Sequence, residues 1–229
     1  MSKFEKRELE ITSLNDQRLM IIDPTKKGFF DEVLNYPYKR NERILDFIEL
    51  VKKVQEAGIE PFYAAKMDPS IRNNMVVFTE GNYPAVGYSD DEWKKMAKKM
   101  PAVEGRNWYM GSHYQYYASL VQLINELIKT GYDSRKAMKK VVVDSKDLGH
   151  FHNSEGAKHN FEKTGSRVVC GRYDLANTCK IVSRTNEEGT LIVGGCFVDY
   201  SFNNPLAHIT HGEFLRVWKN YSLGWLVLG

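Results

Sequence analysis

Apolar residues recur at helical spacing in the N-terminal half of the chain and in short runs broken by turn residues in the C-terminal half. From Glu42 to Ala57, the residues Ile44, Phe47, Ile48, Val51 and Val54 fall on one face, which predicts a helix. Asn41 is placed to cap it and Gly58 to stop it. Ser89, Asp90, Asp91 and Glu92 open a second helix: Ser89 and Glu92 form a capping-box pattern, and the acids suit the positive end of the helix dipole. Pro101 ends it. Ser112 and Gln115 repeat the device for a third helix, with Tyr116, Leu120, Leu123, Ile124 and Leu127 as its buried stripe and Gly131 as its stop. A short basic helix is expected from about Ser134 to Lys140. Pro61 to Met67 and Met75 to Thr79 read as strands, because both are aromatic or β-branched runs bounded by turn residues.

After Val143 the pattern changes. Val168 to Cys170, Cys179 to Ser183, Thr190 to Val193, Phe197 to Tyr200 and Leu223 to Leu228 read as strands, and Asn186-Glu187-Glu188-Gly189 as a hairpin turn. A helix is expected over Glu213 to Trp218. The continuous apolar run Leu223 to Leu228 suits burial on both faces, so it is expected inside an antiparallel sheet spanning 168 to 228. The layout predicts an α+β protein, with helices in the N-terminal half and a compact antiparallel sheet in the C-terminal half. Residues 1–40 mix short apolar pieces such as Leu19 to Ile22 with breakers such as Asp23-Pro24. They read as an N-terminal arm, or as a strand of the same domain, and 41–229 as a single α+β domain.

Composition narrows the class. The chain has 229 residues, 42% of them hydrophobic and 27% charged, which is globular rather than disordered composition. A chain of this size folds without help from a metal or disulfide. No segment approaches the roughly 18 apolar residues of a membrane span, and MSKFEKRELE lacks the apolar core of a signal peptide. These features lead us to expect a soluble, cytoplasmic protein with no membrane partner. A net charge of +3 does not point to nucleic acid. The clusters Lys94, Lys95, Lys98, Lys99 and Lys136, Lys139, Lys140 read as solvated faces. Cys170, Cys179 and Cys196, an odd set among apolar neighbours, read as buried thiols of a reducing compartment.

The last part of the chain carries Gly171-Arg172-Tyr173-Asp174-Leu175-Ala176-Asn177, then Val193-Gly194-Gly195-Cys196-Phe197, then Ser222-Leu223-Gly224-Trp225-Leu226-Val227-Leu228. This order resembles the C-terminal part of the formylglycine-generating-enzyme family and of related C-type-lectin-like domains in phage and other mobile elements. The resemblance covers roughly residues 140 to 229 and implies a C-type-lectin-like sheet there. The oxidase members of the family place a copper-binding cysteine pair after the Gly-Gly. Here Cys196 follows Gly195 directly, and no second cysteine comes later. Ala176 stands where the family has the glycine of its Gly-Asn turn. The resemblance therefore implies the scaffold without the oxidase chemistry. Apart from it, Gly194-Gly195 after an apolar strand permits a bulge, and Tyr173 and Trp225 can supply core area.

Two constellations could carry chemistry. His150 and His152 would share one side of an extended strand, with His159 as a third metal ligand; three neutral ligands and a water match a catalytic zinc site. A solvated histidine loop is the competing reading, and the spacing matches no established metal motif. The aromatic group Trp108, Tyr109, Tyr114 and Tyr117 is the candidate binding surface, with core packing as the alternative; helical spacing puts Tyr116 inside and Tyr117 toward the opposite side. No Walker loop, G-x-G-x-x-G, nucleophile elbow or H-E-x-x-H is present. The expectation is a non-enzymatic binding or structural protein with no cofactor and a protein partner, a second copy of itself among the candidates. The resemblance adds a phage virion or phage-encoded interaction protein. The alternative is a metal-dependent enzyme using His150, His152 and His159.

Overall fold

The computed structural model describes residues 10–37, 40–66, 69–78, 85, 88–143, 179–183, 190–193, 208–209 and 222–229. For 179–183, 190–193, 208–209, 222 and 223 it describes the backbone. In chain order the elements are β1 (Leu19–Ile22), α1 (Asp31–Leu34), α2 (Glu42–Glu56), β2 (Phe62–Ala65), β3 (Ser70–Arg72), β4 (Met75–Val77) and α3 (Asp90–Lys99). They continue with β5 (Trp108–Met110), α4 (His113–Lys129), α5 (Ser134–Met138) running into a π-helical turn (Lys139–Val143), β6 (Cys179–Ser183), β7 (Thr190–Val193), β8 (His208–Ile209), β9 (Ser222–Gly224) and β10 (Leu226–Leu228).

The fold is organised around β10. Its three residues, Leu-Val-Leu, are all buried, and successive side chains point to opposite faces of the sheet. An all-apolar strand needs cover on both faces and partners on both edges, and β10 has them. It pairs antiparallel with β2, Val227 opposite Ala64, and with β5, Val227 opposite Tyr109. β1 adds to the other side of β2, giving a four-stranded sheet in the order β1-β2-β10-β5.

The alternation sorts the sheet residues into two cores. Ile22, Phe62, Ala64, Trp225 and Val227 face a layer made by α2, α4 and α5. Leu19, Trp108, Met110, Leu226 and Leu228 face a second layer built from α3 and the β3–β4 hairpin. Fully burying one side chain of this size contributes about 1.5–3 kcal/mol, so both layers are substantial sources of stability. Residues 19 to 36 share this sheet and core: β1 pairs with β2, and Phe29, Phe30, Val33 and Tyr36 are buried with the α2 and α4 side chains.

The helix expectations stand nearly residue for residue. Asn41 Oδ1 accepts the Ile44 amide at 3.4 Å, and Ser89–Glu92 and Ser112–Gln115 both form complete capping boxes. Gly58 and Gly131 end their helices at positive φ, +58° and +98°. The β6–β7 pair is antiparallel with Ser183 opposite Thr190, as the hairpin pattern predicts.

The strands expected at 61–67 and 75–79 are present as β2 and β4. Two expectations need correction. The run Leu223 to Leu228 is not one interior strand: it divides at Trp225, and only Leu226–Leu228 (β10) lies between two neighbours, while β9 ends its sheet. β9 joins a second sheet of order β8-β7-β6-β9, where it runs parallel to β6 rather than antiparallel. Tyr117 does not face away from the core. Both Tyr116 and Tyr117 are buried, because the first half of α4 is enclosed on all sides rather than lying at the surface. The strands expected at 168–170 and 197–200, the 186–189 turn, the 194–195 bulge, the helix expected at 213–218 and the turn at 171–177 lie outside the described residues.

Candidate functional site

The second layer has a cleft between the tip of the β3–β4 hairpin and the C-terminal half of α3. The hairpin turns through Asn73 and Asn74, whose φ values of 52° and 62° are those of a two-residue type I′ turn, a conformation asparagine tolerates. Ile71 opposes Val76 and Arg72 opposes Met75 across it. On α3, Trp93 and Ala97 point inward, Met96 and Met100 are half-buried toward the hairpin, and Lys95, Lys98 and Lys99 are exposed. Pro101 cannot continue the helix, and the chain turns away there.

These elements enclose a groove of about 310 Å³. Met75, Met96, Met100, Val76 and Pro101 supply its apolar lining, with Lys99, Asn74 and Glu10 at its polar rim. The wall that carries Glu10 is fixed. Arg18 donates from Nη2 to the Glu10 carbonyl at 2.8 Å and to Asp16 Oδ2 at 2.6 Å. This hydrogen bond from Arg18 holds the Asp16 carboxyl below the usual carboxylate range. Ser13 Oγ also donates to Glu104 at 2.9 Å, tying the segment to the loop after α3.

Methionine is an apt lining for a site of this kind. It is unbranched and polarisable, and it adapts its rotamers to the shape presented to it. The volume is at the small end of the range for ligand pockets. It would accommodate two or three side chains of a peptide segment. The cations along α3 are unevenly used. Lys94 is paired with Asp90 at 3.3 Å, whereas Lys95, Lys98 and Lys99 make no ion pair among the described residues.

The aromatic group singled out in the sequence is dispersed. Trp108 is buried in the second layer, stacked on Phe78 at a centroid distance of 5.0 Å. Tyr117 is buried in the first layer, and burial pushes its hydroxyl up to about 12. These two residues lie on opposite sides of the main sheet, so the four aromatics do not form one surface. Tyr114 is half-buried with its ring 4.3 Å from that of His113. Tyr109 is the exposed member, and its hydroxyl accepts a hydrogen bond from Gln115 Nε2 at 2.7 Å. His150, His152 and His159 lie outside the described residues. Among the described residues, no group of three His, Cys, Asp or Glu side chains is arranged to hold a metal ion. No described helix is long and apolar enough to cross a membrane.

Sequence patterning missed the groove because its walls are separated along the chain: Met75 and Val76 on one side, Met96 and Met100 on the other. The available signal was Asn73-Asn74 between Ile71-Arg72 and Met75-Val76, a turn-forming pair that marks a tight hairpin. No family model matches the chain, and neither a curated protein nor a solved structure matches it.

Proposed function

We propose that the chain is a non-enzymatic binding protein and that the groove between the β3–β4 hairpin and α3 receives a segment of a protein partner. The observation that carries this reading is the adaptable lining of Met75, Met96 and Met100 beside a rigid wall anchored by Arg18. Methionine-rich surfaces suit partners whose side chains vary, because the lining repacks at little cost. The groove also sits on the sheet face opposite the large α2–α4 core, so an occupant need not disturb that core.

The test uses random peptides selected for binding to the full chain, followed by carbon-13 methyl spectra of its methionines. Selected peptides should shift the methyl signals of Met75, Met96 and Met100 and leave those of the buried Met20 and Met138 in place. Met96→Glu should weaken them at least about tenfold, equivalent to roughly 1.4 kcal/mol. Ligands that leave the three groove methyls unmoved, or bind the variant equally well, would remove the groove from consideration. Elemental analysis separates this class from the metal-dependent alternative. About one zinc per chain, lost on replacing His150, His152 and His159 by alanine, would move the protein to the enzyme class.

A further inference from the structure

We infer that the segment taken by the groove is an acidic-apolar one, with two or more apolar side chains flanked by carboxylates. This rests on the reading of the groove as a binding site and adds the chemistry of its occupant.

The evidence is the charge placed around the apolar lining. Lys99 is itself part of the wall. Lys95 lies one helical turn earlier, and residues four apart share a helix face, so the two cations form a ridge along one side. Across the groove, Arg72 opposes Met75 in the hairpin ladder. Directly opposed residues of antiparallel strands project to the same face, so Arg72 shares its face of the hairpin with the lining residue Met75. Arg72, Lys95 and Lys99 have no ion pair among the described residues. Glu10 is the single acidic side chain among the lining residues. A peptide carrying carboxylates beside its apolar anchors would find Lys99 in the wall, Lys95 on the same helix face and Arg72 on the Met75 face of the hairpin, while a basic peptide would meet like charge there.

The lysines have a second possible origin. Lys98 and Lys99 occupy the last turn of α3, where cations offset the helix dipole, just as Asp90, Asp91 and Glu92 do at the first. Lys95 lies before the last turn and Arg72 is on a strand, so dipole compensation does not account for them. The two origins predict different measurements. Dipole compensation affects folding; partner steering affects association rate and its dependence on salt.

The experiment measures fluorescence anisotropy of labelled peptides against the full chain at low and high salt. Three peptides share one pattern of Leu and Phe and differ only in flanking residues: Glu, Gln or Lys. The Glu peptide should bind about tenfold or more tighter than the Lys peptide at low salt, and the gap should narrow at high salt as screening sets in. The double variant K95E/K99E should reverse the order, and R72E, on a different element, should shift it the same way. A melting curve for each variant shows that it is folded. If the Glu, Gln and Lys peptides all bind with equal, salt-insensitive affinity and move the groove methionine methyls, the charge inference is overturned while the groove remains a binding site. If none of them binds, both are overturned.

Discussion

The indole of Trp93 lies directly against the backbone of Gly224, so close that a Cβ on Gly224 would overlap ring atoms Cδ2 and Cγ. Trp93 is fully buried and has no room to withdraw. This contact joins α3 to the junction between β9 and β10, and it places a glycine where packing, not backbone conformation, requires one. Gly111 plays the same part for Trp225, whose ring would meet a Cβ there.

Gly224→Ala should therefore destabilise the protein by roughly 1–3 kcal/mol through overpacking. Gly58→Ala provides the comparison. Its φ is +58° with nothing within 4 Å of a Cβ, so its cost should be conformational only, about 1–2 kcal/mol. Urea unfolding monitored by tryptophan fluorescence distinguishes the two, because only the Gly224 change should alter the emission of the folded state. An unchanged native spectrum for Gly224→Ala would mean that Trp93 is not packed as described.

Much of the helical layer was legible because its signals are local. Asn41, Ser89 and Ser112 each sit immediately before an amphipathic run, and a cap needs only residues within one turn. The sheet was harder to read. Leu19–Ile22 and Trp108–Met110 are only four and three residues long, too short for alternation to declare itself. The pairing of β10 with β2 and β5 links residues more than a hundred positions apart, which no local pattern specifies. The burial of Tyr117 was invisible for a related reason. Helical periodicity ranks the faces of α4 against one another, but it does not reveal that both are covered.

The edge strand β1 offers a sharp contrast between neighbours. Ile22 is fully buried and Ile21 is 50% exposed. Ile22→Ala should cost about 2–5 kcal/mol, the usual range for truncating a core isoleucine. Ile21→Thr should stay within about 0.5 kcal/mol, since threonine keeps the β-branched shape at an exposed site. Denaturation midpoints for the pair check the assignment of faces. A larger loss for the Ile21 variant than for the Ile22 variant would indicate that the strand's alternation has been misplaced by one residue.

Tyr117 makes stability depend on alkaline pH. Its hydroxyl is pushed up to about 12 by burial, with the nearby Tyr114 adding to the shift, against about 10 for an exposed tyrosine. The folded-state pKa is raised, so the neutral form is favoured by folding. This stabilisation is complete below pH 10 and is lost as pH rises from 10 toward 12, where the unfolded chain ionises and the folded chain does not. A shift of this size corresponds to about 3 kcal/mol at most. Because other tyrosines also titrate in this window, the quantity to measure is the difference between wild type and Tyr117→Phe. The wild type should lose more stability than the variant between pH 10 and 12. Parallel curves would show that the Tyr117 hydroxyl is not buried.

The central position of β10 also has a consequence for how the protein is made. On the ribosome, β1, β2 and β5 emerge long before residues 226 to 228, so the nascent chain carries a sheet whose middle strand is still missing. Until β10 arrives, the facing edges of β2 and β5 have no partner, and unpaired edges invite pairing with other chains. Closure then depends on contacts of very long sequence separation, which form slowly. Completion of the two cores thus waits for residues 226 to 228, and the interval before they emerge is when the chain would most need protection from its neighbours.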